Sequence, residues 1–228
     1  MKNICLSFGV LAIVFVFSGC TKNNDGSGNE AQVMFVNGCS GTNDVDVKVN
    51  GVVAAGSGSI SYFGNSGYQG FSANSNLNID FYLLQGTYLI GATRNFTQHY
   101  RYTVYAGGLV TSPSFVVTTD EFPTLPSGKA AVRFINLSND SLNESFSVGA
   151  ATLDSNIGYT ICSPYFEIAA SSGTGVTAVD PRYTSSPFLA TLPSQAFSAG
   201  KIYTVMLTGS STASTAPAVL KLTVIQNN

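Results

Sequence analysis

The stretch AVRFINLSNDS at residues 131–141 nearly repeats QVMFVNGCSGT at residues 32–42. In both copies, apolar residues run into an asparagine and then into a polar turn, which is typical of a strand that ends in a loop. One strand start written twice in a chain of 228 residues predicts an internal duplication.

Later landmarks repeat at matching distances. The triplet Tyr-Thr-Val occurs at 102–104 and again at 203–205, which lie 69 and 71 residues after Val33 and Val132. Each triplet is followed by a closing apolar segment, as in PSFVVTT at 113–119. Because the landmarks keep both their order and their spacing, we predict two repeats of the same fold.

The segment DVDVKVNGVV at 44–53 shows the local structure of these repeats. Val45, Val47 and Val49 alternate with polar residues, which places the valines on one face of a half-buried strand. Asn50-Gly51 follows, and this pair favours a tight hairpin because both residues tolerate positive φ. Similar short strands continue along the chain with hardly any helical periodicity. We therefore predict an all-β protein of two tandem immunoglobulin-like antiparallel β-sandwich repeats.

The predicted body begins after a polar segment. We place the first β-sandwich repeat at 31–119, a proline-containing linker at 120–129, and the second repeat at 130–228. Both repeats are long enough to bury a core of their own.

The N-terminus reads as a secretory signal peptide over residues 1–19, with Lys2 before an apolar run that is too short to span a bilayer. The run ends in FSGC, which resembles the lipobox of bacterial lipoproteins, including those of Bacteroidetes. The resemblance implies cleavage before Cys20, lipidation (palmitate) of Cys20, a tether over 20–30, and attachment to the membrane through that lipid. We expect an outer-membrane location. The alternatives are a secreted protein with an incidental Cys20, and an uncleaved anchor.

The repeated elements resemble a known family. VRFINLS, the Asp/Val alternation before Asn-Gly, and the Gly-Lys-x-Tyr-Thr-Val of 200–205 are similar to the extracytoplasmic domain-of-unknown-function family 4397. The likeness extends over roughly residues 31–226 and is poor between 150 and 195. It implies a secreted or lipid-anchored protein with two immunoglobulin-like repeats, and it brings no catalytic motif.

The composition excludes some classes of function. Only 10% of residues are charged and the net charge is −2, whereas nucleic-acid binding needs a concentrated basic face. His99 is the only histidine, and one imidazole without acidic or thiol neighbours does not build a metal site. We expect no nucleic-acid partner, no metal and no cofactor.

Four cysteines are present. Cys5 lies in the signal and Cys20 is the lipidation candidate, which leaves Cys39 and Cys162, one in each repeat. A disulfide between them would close a long loop and stabilise the fold. The alternative is two buried thiols that act as small apolar side chains.

Two further groups of residues are candidate sites. Tyr62 and Tyr68 lie in an aromatic, glycine-rich stretch that we interpret as a loop able to stack on a glycan or peptide. The alternative is that this stretch contributes its phenylalanines to the core and its tyrosines to the rim. Ser141 lies in Asp-Ser-Leu, a short pattern that resembles an O-glycosylation acceptor of Bacteroidetes-like bacteria.

These features favour a non-catalytic binding or adhesion module for a glycan or an envelope protein. A passive structural component of an envelope complex is the first alternative. A carboxylate-dependent hydrolase is the second, because two suitably spaced acids suffice for glycoside hydrolysis. The chain lacks the tryptophan that often forms a sugar platform.

Overall fold

The structure, a computed structural model, describes residues 28–54, 58–141, 143–180, 189–212 and 219–228. These residues form strands and no helix. The strands are β1 (Glu30–Asn37), β2 (Asp44–Val49), β3 (Val52–Val53), β4 (Ile60–Ser61), β5 (Asn65–Ser72), β6 (Asn76–Leu83), β7 (Tyr88–Asn95), β8 (Arg101–Leu109), β9 (Ser112–Thr119), β10 (Lys129–Asn136), β11 (Asn143–Val148), β12 (Ala151–Gly158), β13 (Phe166–Ala169), β14 (Ser171–Val179), β15 (Leu189–Phe197), β16 (Ile202–Thr208) and β17 (Lys221–Gln226).

The strands form four sheets that fall into two matching pairs. In the first half of the chain, the order β5-β1-β8-β9 faces the order β3-β2-β6-β7, with β4 beside β2. In the second half, β13-β10-β16-β17 faces β12-β11-β14-β15. The prediction of an all-β fold with two tandem β-sandwiches is confirmed. Pairing is antiparallel except between β1 and β8 and between β10 and β16, which are parallel.

Each sandwich has its own apolar core because alternate residues of its strands point inward. Val45, Val47 and Phe81 are fully buried in the first core, as the Val alternation predicts. Phe134 and Phe146 stack in the second, with ring centroids 4.7 Å apart.

A third apolar cluster joins the two sandwiches, and we call it the seam. It is formed by the outward residues of the two sheets that contain β1 and β10, so these sheets pack against each other and the molecule has four layers of strands. Its buried members are Met34, Val36, Tyr105, Val116, Ile135, Leu137, Met206 and Ile225.

The asparagine shared by the two entry strands has the same role in both sandwiches. The Asn37 side chain accepts a hydrogen bond from the Cys39 amide and donates to the Ile60 carbonyl at 3.1 Å. Asn136 accepts from the Ser138 amide and donates to two carbonyls, of Ser141 and Ile157. Both asparagines are fully buried, and each ties the turn after its strand to a distant segment.

The residue after each asparagine differs between the repeats, and the seam explains the difference. Leu137 is fully buried against the first sandwich. A Cβ atom at Gly38 would lie 2.8 Å from both the Leu137 side chain and the Met206 sulfur. Glycine in the first copy therefore leaves the space that leucine of the second copy fills.

Local predictions are confirmed at the first hairpin and wrong in the stretch that follows. Asn50 and Gly51 have φ angles of 52° and 80°, as a tight hairpin between β2 and β3 requires. The aromatic stretch that we interpreted as a loop instead contains β5, which is an edge strand paired with β1.

Candidate binding face and the buried seam

The seam contains a buried ion pair between Arg133 and Asp120. Their side chains are 3% and 0% exposed. The guanidinium also donates to the hydroxyl of Thr204 at 3.0 Å and to the carbonyl of Thr119 at 3.2 Å. It lies 4.8 Å from the ring centre of Tyr165. These contacts replace the water that the charge loses on burial.

The Asp120 carboxylate is equally well surrounded. It accepts hydrogen bonds from the hydroxyls of Tyr68 and Thr103, each at 2.6 Å, and from that of Thr118 at 3.1 Å. The residue is 5% exposed, so it belongs to the buried seam although it begins the predicted linker over 120–129.

Burial and these neighbours shift the pKa values of the seam. Burial raises the pKa of Tyr105 to about 12, and burial together with the Asp120 charge raises that of Tyr68 above its ordinary value. Burial alone would lower the pKa of Arg133, but the charge of the Asp120 carboxylate holds it well above the usual range. The tyrosines therefore stay neutral and the arginine stays charged at physiological pH.

Neither member of this ion pair is repeated at the equivalent position of the other repeat. Asp120 and Asn227 are equivalent, since their amides donate to the matched carbonyls of Arg101 and Ile202, and each side chain accepts from a matched threonine. Arg133 is equivalent to Met34, because these two residues pair with Thr204 and Thr103. The ion pair thus joins one repeat to the other.

Tyr62 and Tyr68, which we predicted to stack on a ligand from a loop, are half-buried and hydrogen-bonded within the protein, closer to the alternative of tyrosines at the rim of the core. The Tyr62 hydroxyl hydrogen-bonds with that of Thr208 in the second sandwich at 2.9 Å, and its ring stacks on Phe63 at 3.7 Å. Tyr68 donates to Asp120, as described above. Tyr62, in the turn after β4, therefore contacts the second sandwich directly, whereas Tyr68 of β5 packs against the seam and reaches the second sandwich through Asp120 and its partner Arg133.

The candidate disulfide between Cys39 and Cys162 is also wrong in this structure. Both are free thiols. Cys39 is part of the first core, whereas Cys162 packs against the seam. Burial raises their pKa values to about 12 and about 11, so the alternative of small apolar side chains describes them better.

Ser141 does not suit the predicted O-glycosylation. Its side chain is 1% exposed and its hydroxyl donates to that of Ser138 at 3.0 Å, so the folded protein gives a glycosyl donor no access. The neighbouring Asp140 accepts from the Ser210 hydroxyl at 2.6 Å and from the Ser211 amide at 3.0 Å. Partial burial by itself would raise the pKa of Asp140, but these hydrogen bonds stabilise the carboxylate and lower its pKa below the ordinary value.

Solvent-facing aromatic residues lie instead on the outer sheet of the first sandwich. Residues of β2, β6 and β7 that alternate with core residues point outward in register rows, and we call this surface the tyrosine face. Its members are Asp46, Lys48, Asn78, Asp80, Tyr82, Tyr88 and Thr93.

The two tyrosines occupy one row of this face. Tyr82 pairs with Tyr88 across β6 and β7, and their rings meet edge to face at 5.7 Å. Tyr88 is 56% exposed, while the Lys48 ammonium lies 4.4 Å from the ring centre of Tyr82. Tyr88 therefore offers an open ring beside a ring that is held in place.

The next row carries the hydrogen-bonding groups. The Asp80 carboxylate accepts from the Asn78 amide at 2.6 Å. The carboxylate also lies directly over Gly91 of β7. A Cβ atom added at Gly91 would be 2.2 Å from the Asp80 Oδ1 atom. A carboxylate, an amide and an ammonium thus stand next to the tyrosine pair, on a sheet whose other side is the first core.

The matching face of the second sandwich has different chemistry. Ser147 pairs with Thr152 and Thr177, and Thr177 pairs with Thr191. These residues form a row of hydroxyls without an aromatic ring. Among the residues that the structure describes, the duplication therefore produced two unlike outer faces, one with rings beside charged groups and one with a row of hydroxyls.

A sequence signal for the tyrosine face exists in LNIDFYLL. Asn78, Asp80 and Tyr82 alternate there with residues of the core, which predicts outward positions. The pairing of Tyr82 with Tyr88 has no such signal, because a bulge between Phe81 and Tyr82 shifts the register of β6 against β7.

The rest of the described chain offers little else for chemistry. Its His, Cys, Asp and Glu side chains form no group of three that could hold a metal ion. None of its segments is a helix long and apolar enough to cross a membrane. His99 is exposed, with a positive φ of 66° in the turn before β8. Cys20 lies outside the described residues.

Comparisons with known proteins identify the family. A crystal structure of a putative cell adhesion protein from Bacteroides uniformis is similar over 88% of this chain and 100% of that chain, at 12% identity and a TM-score of 0.28. No curated protein matches this chain. The family model for the domain of unknown function DUF4397 matches residues 31–143, from the second residue of β1 to the start of β11. Residues 31–143 therefore belong to the DUF4397 family.

Proposed function

We propose that this protein is a lipid-anchored, non-catalytic binding or adhesion module of the bacterial cell envelope, and that its tyrosine face binds a glycan. The observation that carries the proposal is the exposed ring of Tyr88 beside Tyr82, with Asp80, Asn78 and Lys48 within the same face. An aromatic ring stacks on the apolar side of a sugar, and the neighbouring polar groups hydrogen-bond to its hydroxyls.

The framework suits recognition without catalysis. The face lies on a sheet backed by an apolar core, and such rigid support lowers the entropy cost of binding. The hydrolase alternative needs two free acids that converge, yet Asp120 is paired with Arg133. Among the outward acids of the face, Asp80 is held by Asn78 and Asp46 by Ser59.

The test is a glycan array probed with residues 21–228. We expect Tyr88→Ala to lower affinity for the sugars that bind by about tenfold or more, as is usual for an aromatic anchor. Because Tyr88 is more than half exposed, its loss should leave thermal stability almost unchanged.

The matched control is Thr177→Ala/Thr191→Ala on the hydroxyl face of the second sandwich, which should bind like the parent. Binding that survives in Tyr82→Ala/Tyr88→Ala would rule out the tyrosine face. A stable stoichiometric envelope partner, with no glycan bound, would favour the passive structural alternative.

The anchor has a separate test. Replacing Cys20 by alanine should move the protein from the membrane fraction into the soluble fraction, since lipidation requires the thiol. A variant that remains in the membrane would contradict the lipid anchor and leave the glycan assay unaffected.

A further inference from the structure

One end of the first sandwich carries exposed valines next to the point where the tether enters the fold. Val52 and Val53 form the short edge strand β3 and are 70% and 53% exposed. They border a groove of about 560 Å³ whose lining includes Phe71 and Leu77. Exposed apolar residues grouped in this way mark an interaction surface more often than scattered ones do.

Backbone hydrogen bonds show that the tether joins the fold at this same end. The Asn29 carbonyl accepts from the Ala73 amide, and the Glu30 carbonyl from the His99 amide. The Asn74 amide in turn donates to the Phe96 carbonyl. We call this the basal end; it comprises the start of β1, the β2–β3 hairpin, the β5–β6 turn and the β7–β8 loop.

The chain between Cys20 and the basal end is short. Seven residues, 21–27, separate Cys20 from Gly28. A segment of this size spans at most about 29 Å, whatever its conformation. A lipid on Cys20 would therefore hold the basal end within about one strand length of the bilayer.

The basal end is also poor in charge on the side of the valines. Residues 49–79 contain no Asp, Glu, Lys, Arg or His, so the turn of the hairpin and the β5–β6 turn are uncharged. The charge that lies next to the valines is Lys48, which pairs with Val53 and can reach lipid phosphates with its long side chain. Moving the two turns into the headgroup region costs no desolvation of a charged side chain. Tyr100, which is 46% exposed, lies at the same end, and tyrosine is enriched at membrane interfaces.

We propose that the basal end is a second membrane contact, in which Val52 and Val53 enter the headgroup region of a phospholipid bilayer. This proposal rests on the lipid anchor proposed above. An apolar contact at the end of a short tether would add a second point of attachment beside the lipid. It would also direct the opposite end of the molecule away from the bilayer.

The experiment supplies its own anchor, so its failure can be told apart from failure of the Cys20 lipidation. Residues 21–228 with an N-terminal histidine tag are held on phosphatidylcholine vesicles that contain a nickel-chelating lipid. The chain has no tryptophan, so Val53→Trp provides a single fluorescent reporter at the basal end. On tethering, we expect its emission to shift to shorter wavelength and to be quenched by brominated phosphatidylcholine.

The matched control is Ile161→Trp. Ile161 is likewise 53% exposed, but its carbonyl accepts from the amide of Asn136, where β10 ends, at the opposite end of the molecule. We expect no shift and no quenching there. Adding Val52→Asp to the Val53→Trp variant should abolish the shift.

Three outcomes would overturn the proposal. One is an unchanged Val53→Trp spectrum on vesicles. Another is equal quenching at both reporter positions. The third is a shift that develops with protein concentration in the absence of vesicles, which would show contact between two copies of the chain instead.

Discussion

Arg133 shows how one residue changes the relation between two copies of a fold. The first repeat has Met34 at the equivalent position, and the second repeat has Asn227 where the first has Asp120. The duplication therefore contains its own neutral replacements for both members of the buried pair.

Those replacements make a test at the residue scale. Arg133→Met leaves the Asp120 carboxylate buried without its counter-charge, and we expect a loss of about 3–5 kcal/mol in the free energy of unfolding. Arg133→Met/Asp120→Asn removes both charges and keeps an acceptor for Tyr68 and Thr103. We expect the double variant to regain about 2 kcal/mol or more, measured by urea denaturation. Strictly additive losses would show that the pair is not coupled.

At the scale of elements, the ends of β1 and β10 show how two copies of a strand fit together. Their asparagines are used identically, whereas Gly38 and Leu137 are complementary in volume. A strand that is duplicated to pack against its own copy must differ where the two would overlap.

We expect Gly38→Leu to destabilise the protein by about 1–3 kcal/mol through overpacking against Leu137 and Met206. Leu137→Ala alone should cost about 2–5 kcal/mol, because it opens a cavity in the seam. The two changes combined should be less destabilising than their sum in thermal or urea unfolding. If the double variant loses as much stability as the two single variants together, residue 38 does not face Leu137 in solution.

At the scale of the whole molecule, the seam makes two sandwiches into one body. It buries Met34, Tyr105 and Ile135 as completely as the sandwich cores bury their own residues. The ion pair and the Tyr62–Thr208 hydrogen bond cross it as well.

We therefore expect one cooperative unfolding transition for residues 21–228, with equal calorimetric and van't Hoff enthalpies. A fragment of residues 28–119 would expose the first half of the seam, and we expect it to self-associate in size-exclusion chromatography. Two resolved transitions, or a monomeric fragment as stable as the whole, would show that the repeats fold independently.

Features that depend on neighbouring residues could be predicted from the sequence, whereas features that depend on residues far along the chain could not. Alternation in DVDVKV and the Asn-Gly pair predicted a strand and a hairpin because both depend on neighbouring residues. Tyr62 and Tyr68 were misplaced because their composition suggests a loop, while their position depends on a second sandwich that lies far along the chain. Tyr88 was missed because its pairing with Tyr82 depends on the bulge in β6 between Phe81 and Tyr82.

The all-β class, the duplication and the faces of the Val-rich strand can be predicted from the amino-acid sequence alone, because periodicity and turn chemistry are local. The packing of the two sandwiches sets three further outcomes: Asp120 meets Arg133, Gly38 makes room for Leu137, and Tyr68 is half-buried while Tyr88 is exposed. Those outcomes depend on which outer faces of two equal sandwiches pack together. Similar strands have similar local patterns, so the choice between their faces is made by complementary volume and charge across the seam.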